Sequence, residues 1–133
     1  MTPSLRLARA KRLVAVQEQM RRLAERDLAA TRRDIAGTEV ERAGLLRVLS
    51  EERMQGLFLD AASSHLRRIA GRAAELKATA SSQEANVLAC GLAEKRTERW
   101  AKGLAKELHE EEGRRDVQEQ LDLLVARGDA SLP

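Results

Sequence analysis

Gln55-Gly56-Leu57-Phe58-Leu59-Asp60 decides the fold of this chain, because it is where one helical pattern stops and another starts. Gly56 tolerates the positive φ that closes a helix C-terminus. Asp60 is suited to cap a following helix, with Ser63 and Ser64 as alternatives. The apolar run Leu57-Phe58-Leu59 has no helical phase and fits a turn. A second candidate break, Ala80-Ser81-Ser82, carries neither Gly nor Pro, and the apolar spacing passes through it.

On both sides of this break the chain is free to be helical. Its prolines, Pro3 and Pro133, lie at the two ends, and an interior proline would cost a helix about 3 kcal/mol. Ala, Leu, Arg, Glu and Lys make up roughly 60% of the residues, the composition of a long helix or coiled coil. Ser4 is a candidate N-cap. Behind it a seam spaced by threes and fours runs Leu13, Val16, Met20, Ala24, Leu28, Thr31, Ile35, Thr38, Arg42, Leu45, Leu49. One extra step of four near Ala24 is read as a stutter. Gly37 and Gly44 weaken this helix by about 1 kcal/mol each relative to Ala, which a long seam tolerates.

After the break the spacing resumes through Leu66, Ile69, Ala73, Leu76, Ala80, Gln83, Val87, Cys90, Glu94, Thr97, Ala101, Leu104 and Leu108. It slips at Glu110-Glu111-Glu112-Gly113, where a bend or fray is expected, and restarts as Val117, Leu121, Leu124. Folding the chain antiparallel about Gly56–Leu57 brings Leu49 to Leu66, Leu45 to Ile69, Ile35 to Ala80 and Leu28 to Val87. Seam meets seam throughout. The expected fold is therefore all-α: one domain over 1–133, a long antiparallel two-helix coiled-coil hairpin with the second helix projecting beyond the first. Its bounds are about 4–54 for helix 1, 55–60 for the turn, 61–127 for helix 2 and 128–133 for a tail. At 1.5 Å per residue the first arm would span about 75 Å. Many seam residues are small or polar, so the hairpin buries little area and should gain stability from a partner.

Charge is polarised along the chain. Arg6, Arg9, Lys11, Arg12, Arg21, Arg22 and Arg26 face two acids, Glu18 and Glu25. From Glu110 onward Glu110, Glu111, Glu112, Asp116, Glu119, Asp122 and Asp129 outnumber Arg114, Arg115 and Arg127. Such asymmetry suits a nucleic-acid arm and an acidic tail, yet the hairpin lays the basic start beside 103–110, where the two ends partly neutralise each other. No aromatic platform accompanies the arginines; Phe58 and Trp100 are the only aromatics. No nucleic-acid partner is expected. A basic amphipathic membrane helix over 5–16 lacks an aromatic anchor. No apolar run approaches the roughly 20 residues of a membrane span, and the basic start lacks a signal peptide's apolar segment. Cys90, the single cysteine, excludes an internal disulfide. A soluble, cytoplasmic chain is expected.

Catalytic chemistry is not legible. His109-Glu110-Glu111-Glu112 resembles the opening of the helical zinc motif, but the second His it requires is Gly113. His65 is isolated, and the dispersed glycines form no phosphate-cradling loop. A two-helix hairpin has no concave site with converging groups. Neither a cofactor nor a metal is expected, and the chain is read as a non-enzyme.

The closing segment, Arg114-Arg115-Asp116-Val117-Gln118-Glu119-Gln120-Leu121-Asp122-Leu123-Leu124-Val125-Ala126-Arg127, resembles the C-terminal signature of the FliJ family of flagellar type III export proteins. Leu121, Asp122, Leu124 and Arg127 match that signature; Leu123 stands where the family usually has Glu. Trp100 followed by Lys102 and Lys106 is similar to the preceding Trp-and-basic stretch. The start, from Leu5 to Leu13 and then Gln17-Glu18, is similar to the family's basic opening. The resemblance covers nearly the whole chain.

It implies a stalk like that of rotary ATPases, which inserts the paired hairpin ends into a hexameric export ATPase. Such a stalk promotes assembly or activity of the ring, couples it to a membrane export-gate protein and escorts export chaperones. The implied location is the cytoplasmic face of the inner membrane, reached only through these partners. Carried onto this chain, the ATPase end comprises Arg9, Arg12, Arg114, Arg115, Gln118, Asp122 and Arg127. The turn end, for gate or chaperone, comprises Phe58, His65, Leu66, Ala70, Ala73 and Lys77. An injectisome-type stalk (the YscO-like relatives) and a general cytosolic coiled-coil adaptor or scaffold are the alternatives.

Overall fold

A computed structural model describes residues 2–51 and 57–131. Two helices account for nearly all of them: α1, Pro3–Leu49, and α2, Leu57–Ser131. They pack against each other as an antiparallel two-helix hairpin, and no strand occurs among the described residues.

The helix ends differ in detail from the sequence expectation. Thr2, not Ser4, caps α1: its Oγ1 accepts the Leu5 N–H at 3.3 Å and its carbonyl accepts the Arg6 N–H at 3.1 Å. Pro3 then occupies the first helical position, where a missing N–H costs nothing and the fixed φ suits a helix. Ser4 lies inside the first turn. α1 closes at Leu49 rather than near residue 54. There the Ser50 N–H donates to Leu46 O at 3.0 Å and its hydroxyl to Arg47 O at 2.7 Å, satisfying carbonyls that the helix leaves open. The expected turn residues Gln55 and Gly56 lie outside the described residues. α2 already includes Leu57–Asp60, so Asp60 sits in its first turn, where a carboxylate favours the positive end of the helix dipole, and not at the cap. The helix runs unbroken through Ser81-Ser82, through Glu110–Gly113 and on to Ser131. The helix does not fray at Gly113, because one glycine costs only about 1 kcal/mol within a long, otherwise strong helix former.

The chain divides into two compact units, one of 19–92 and one of 1–18 with 93–133. In the 19–92 unit, α1 turns Ala24, Leu28, Thr31, Ile35, Thr38, Leu45 and Leu49 inward. α2 answers with Ala62, Leu66, Ile69, Ala73, Leu76, Ala80, Gln83, Val87 and Cys90. The pairing is antiparallel: Arg32 Nη2 donates to Glu84 Oε1 at 3.2 Å, between the expected Leu28/Val87 and Ile35/Ala80 pairs. Thr31 and Thr38 are buried, and each hydroxyl donates to its own helix, to Asp27 O at 3.1 Å and Ile35 O at 2.7 Å. Their polarity is satisfied locally and makes no demand on the opposite helix. In the other unit Leu7, Ala10, Val14 and Gln17 are buried or half-buried on α1. On α2 the corresponding residues are Glu94, Thr97, Ala101, Leu104, Leu108 and, last, Glu111.

All thirteen expected α2 seam residues are buried or half-buried, from Leu66 to Leu108. On α1 the expectation fails before Ala24. Leu13, Val16 and Met20 are exposed, and Val14, Gln17 and Arg21 hold the inward positions. No stutter exists: steps of three and four run unbroken from Leu7 to Thr38. A regular helix keeps one face toward its partner, and skipping to a larger side chain would require local over- or underwinding. Continuity of phase outweighs the size of individual residues. The Oε1 atoms of Gln17 and Gln83 are buried without a hydrogen-bond partner, a cost of such polar seam positions. Arg42, expected inside, is exposed, as its charged head requires.

Two measurements check this arrangement. In a Cys90→Ala background, Leu45→Cys with Ile69→Cys should form a disulfide within one chain; exclusively intermolecular products would exclude the fold. Leu28→Ala, at a position 6% exposed, should lower unfolding free energy by about 2–4 kcal/mol. Met20→Ala, at one 54% exposed, should lower it by less than about 0.5 kcal/mol. Equal losses at the two sites would return Met20 to the seam.

Candidate functional site

Two sets of surface residues are candidates, one in each unit. In the unit of 1–18 with 93–133, inward burial on α2 ends at Glu111, and every side chain from 112 to 129 is exposed. The helix nevertheless continues to Ser131, carrying Val117, Leu121, Leu123, Leu124 and Val125 with at least half of each exposed. Val117, Leu121 and Leu124 recur at the spacing that aligns them on one face. Glutamines and arginines border this face. One shallow hollow beside it is lined by Glu110, Gly113, Arg114, Val117 and Gln118, and another, further round the helix, by Gln120, Leu123, Leu124 and Arg127.

The residues expected at an ATPase end are thus only partly grouped. Arg114, Arg115, Gln118, Asp122 and Arg127 all lie on this closing part of α2 and are exposed. Gln118 Nε2 donates to Asp122 Oδ1 at 3.1 Å, and Arg115 Nη2 donates to Glu111 Oε1 at 3.4 Å. Both are one-turn pairs, worth a few tenths of a kcal/mol, roughly 0.2–0.5. They hold the side chains along the helix and leave Arg114 and Arg127 as the outward cations. Arg9 and Arg12 belong to the same unit but to α1. Arg12 Nε donates to Ala8 O at 3.4 Å. Among the described contacts, neither arginine bonds to the closing residues.

In the unit of 19–92, the turn-end residues separate into two groups. Ala70, Ala73 and Lys77 line a groove of about 100 Å³ together with Ile35, Thr38, Glu39, Arg42 and Ile69. The groove exists because Ala70 and Ala73 are too small to fill the space between the helices. Phe58 and His65 are exposed elsewhere on the first turns of α2, and Leu66 is half-buried in the seam. Phe58 is 66% exposed, a large aromatic surface left to solvent.

Exposed apolar residues were missed in the sequence in each unit: Leu13 and Val16 in the unit of 1–18 with 93–133, and Met20 and Leu23 in the unit of 19–92, are exposed although assigned to the seam or overlooked. Their three-four spacing is as regular as that of the true seam, one position out of phase with it. Only the unbroken backward extension from Ala24 distinguishes the two.

No converging ligand set accompanies these surfaces. Among the described residues, no group of three or more His, Cys, Asp or Glu side chains could hold a metal ion. Cys90 is half-buried, with Sγ 3.7 Å from Asn86 Oδ1. Among the described residues, no helix is long and apolar enough to cross a membrane. No family model, curated protein or solved structure matches the chain.

Because Phe58 contributes its surface to solvent and not to the seam, Phe58→Ser should change unfolding free energy by less than about 0.5 kcal/mol. Thermal and urea denaturation check this. A loss of several times that size would place Phe58 in the core.

Proposed function

We propose that this chain is a non-enzymatic coiled-coil stalk and escort of a flagellar type III protein export apparatus. The observation that carries the reading is the closing part of α2. It is helical beyond Glu111, has no inward burial, and presents apolar residues between arginines. A helix end of this kind is costly to leave in water and suits insertion into a ring that covers it. The FliJ-like text, Arg114 to Arg127, occupies that same segment.

In this reading Val117, Leu121 and Leu124 supply the apolar contact with the hexameric export ATPase, and Arg114 and Arg127 set its orientation through acidic groups of the ring. Arg9 and Arg12 add positive charge from α1. Charged groups of this kind govern encounter rate and register more than total affinity. The exposed Phe58 and His65, and the groove at Ala70, Ala73 and Lys77, serve the export gate or chaperones. The chain supplies no catalytic group; its role is to transmit and to hold.

Purified chain should raise ATP hydrolysis by its cognate flagellar export ATPase hexamer. Replacing Arg114, Arg115 and Arg127 together by Glu should weaken the half-maximal concentration for stimulation by about tenfold or more, with helicity by circular dichroism unchanged. A saturating amount of wild type that leaves the rate unaltered and captures no export component would rule the reading out.

A further inference from the structure

One strongly charged surface stands outside the contacts assigned above. Between residues 95 and 106, α2 carries five cations, Lys95, Arg96, Arg99, Lys102 and Lys106, and one acid, Glu98. All five cations are exposed, and all belong to the unit of 1–18 with 93–133. The inward side of this stretch is marked by Glu94, Thr97, Ala101, Leu104 and Leu108, with Glu98 half-buried at its edge. At about 100° per residue, Lys95, Arg99, Lys102 and Lys106 fall within an arc of about 60° on the opposite side of the helix. Their steps of four, three and four make a stripe about 17 Å long, and Arg96 borders it. Among the described residues, no ion pair engages any of the five.

We propose that this stripe docks an acidic helical segment of a partner protein. Like charges three and four residues apart repel along a helix, and three such pairs follow one another here. An anionic partner removes that repulsion. Acids at the same four-three-four spacing on a helix alongside would set one carboxylate against each cation. Gly103 lies beside the stripe between Arg99 and Lys106, and a Cβ there would meet nothing within 4 Å. A second helix can therefore come close to the backbone at that turn. The occupant must be short. Glu107, Glu110, Glu111 and Glu112 follow within two turns, and a nucleic-acid strand or lipid surface running past Lys106 would meet them. A segment of about twelve residues covers the stripe and stops before those acids. None of the five cations belongs to the ring, gate or chaperone contacts proposed above, and the docking does not depend on that role.

A designed peptide tests the surface with the full chain. The probe is a blocked, labelled helical peptide of about twelve residues, with four glutamates at the four-three-four spacing. Fluorescence anisotropy should show binding at low ionic strength that weakens as salt rises. Lys95→Glu, Arg99→Glu, Lys102→Glu and Lys106→Glu together should raise the dissociation constant by about tenfold or more. Arg26→Glu, Arg33→Glu, Arg47→Glu and Arg67→Glu together change net charge equally in the unit of 19–92, and should raise it by less than about threefold. Lys95→Arg with Lys102→Arg and Lys106→Arg, which keeps every charge, should bind as wild type does. Circular dichroism verifies folding of each. The milder pair Arg99→Gln with Lys102→Gln, which reverses no charge, should still weaken binding by about threefold or more.

Absence of peptide binding by wild type at low ionic strength would overturn the proposal. Equal losses in the two charge-reversed variants would also overturn it, because net charge alone would then account for binding. Tighter binding of single-stranded DNA or of phosphatidylglycerol vesicles than of the peptide, lost in the stripe variant, would assign the stripe to an extended polyanion instead.

Discussion

The narrow inward face shared by α1 and α2 is the constraint on which the rest depends. Two helices alone can bury only one stripe of each. Here that stripe is written largely in Ala, Thr and middle-sized aliphatics, and no large side chain becomes fully buried among the described residues. Little apolar area leaves water per turn, at about 25 cal/mol per Å². The arrangement is specified less by the depth of a core than by maintaining phase over many turns. Local measures keep the polar seam residues harmless. The hydroxyls of Thr31, Thr38 and Thr97 donate to carbonyls of their own helix, so their burial requires nothing across the interface.

Phase continuity also determines what the surface offers. Because α1 keeps its three-four rhythm through Val14, Gln17 and Arg21, the larger Leu13, Val16 and Met20 are turned to solvent. α2 continues past the last half-buried residue, Glu111, and Val117, Leu121 and Leu124 stay at least half exposed among the described residues. Apolar surface spread along helices suits contacts with other macromolecules, while no metal-ligating cluster occurs among the described residues. Thin internal burial and broad external apolar faces therefore have one origin. A two-helix fold has more apolar stripes than it has helices to cover them.

Much of this was legible in residue order. The α2 seam from Leu66 to Leu108 could be read position by position, because a single apolar phase runs through it without a competitor. The register also followed, since seams read separately on the two sides of the break match when folded together, and the Arg32–Glu84 pair falls within that match. The start of α1 was different. Two equally regular phases coexist there, and preference for Leu13, Val16 and Met20 over Val14, Gln17 and Arg21 selected the wrong one. The helix ends were missed for a related reason. Thr2, Ser4 and Asp60 are all competent caps by type, and the choice among them depends on where the backbone enters the helix. For the candidate site, the chemistry of the closing segment was readable, but the division of the turn-end residues between groove and open surface was not.

The sequence by itself determined that the chain is helical, that it reverses once, and which face of α2 turns inward. Proline excluded from the interior, high helix propensity and period are properties of the chain order, and they require no knowledge of a partner surface. Only the tertiary structure decided which α1 phase is inward and which apolar residues remain outside. That choice is made between two helices at once: the seam that forms is the one both can sustain without changing their winding. The residues it leaves uncovered, Leu13, Val16 and Met20 among them, are turned to solvent.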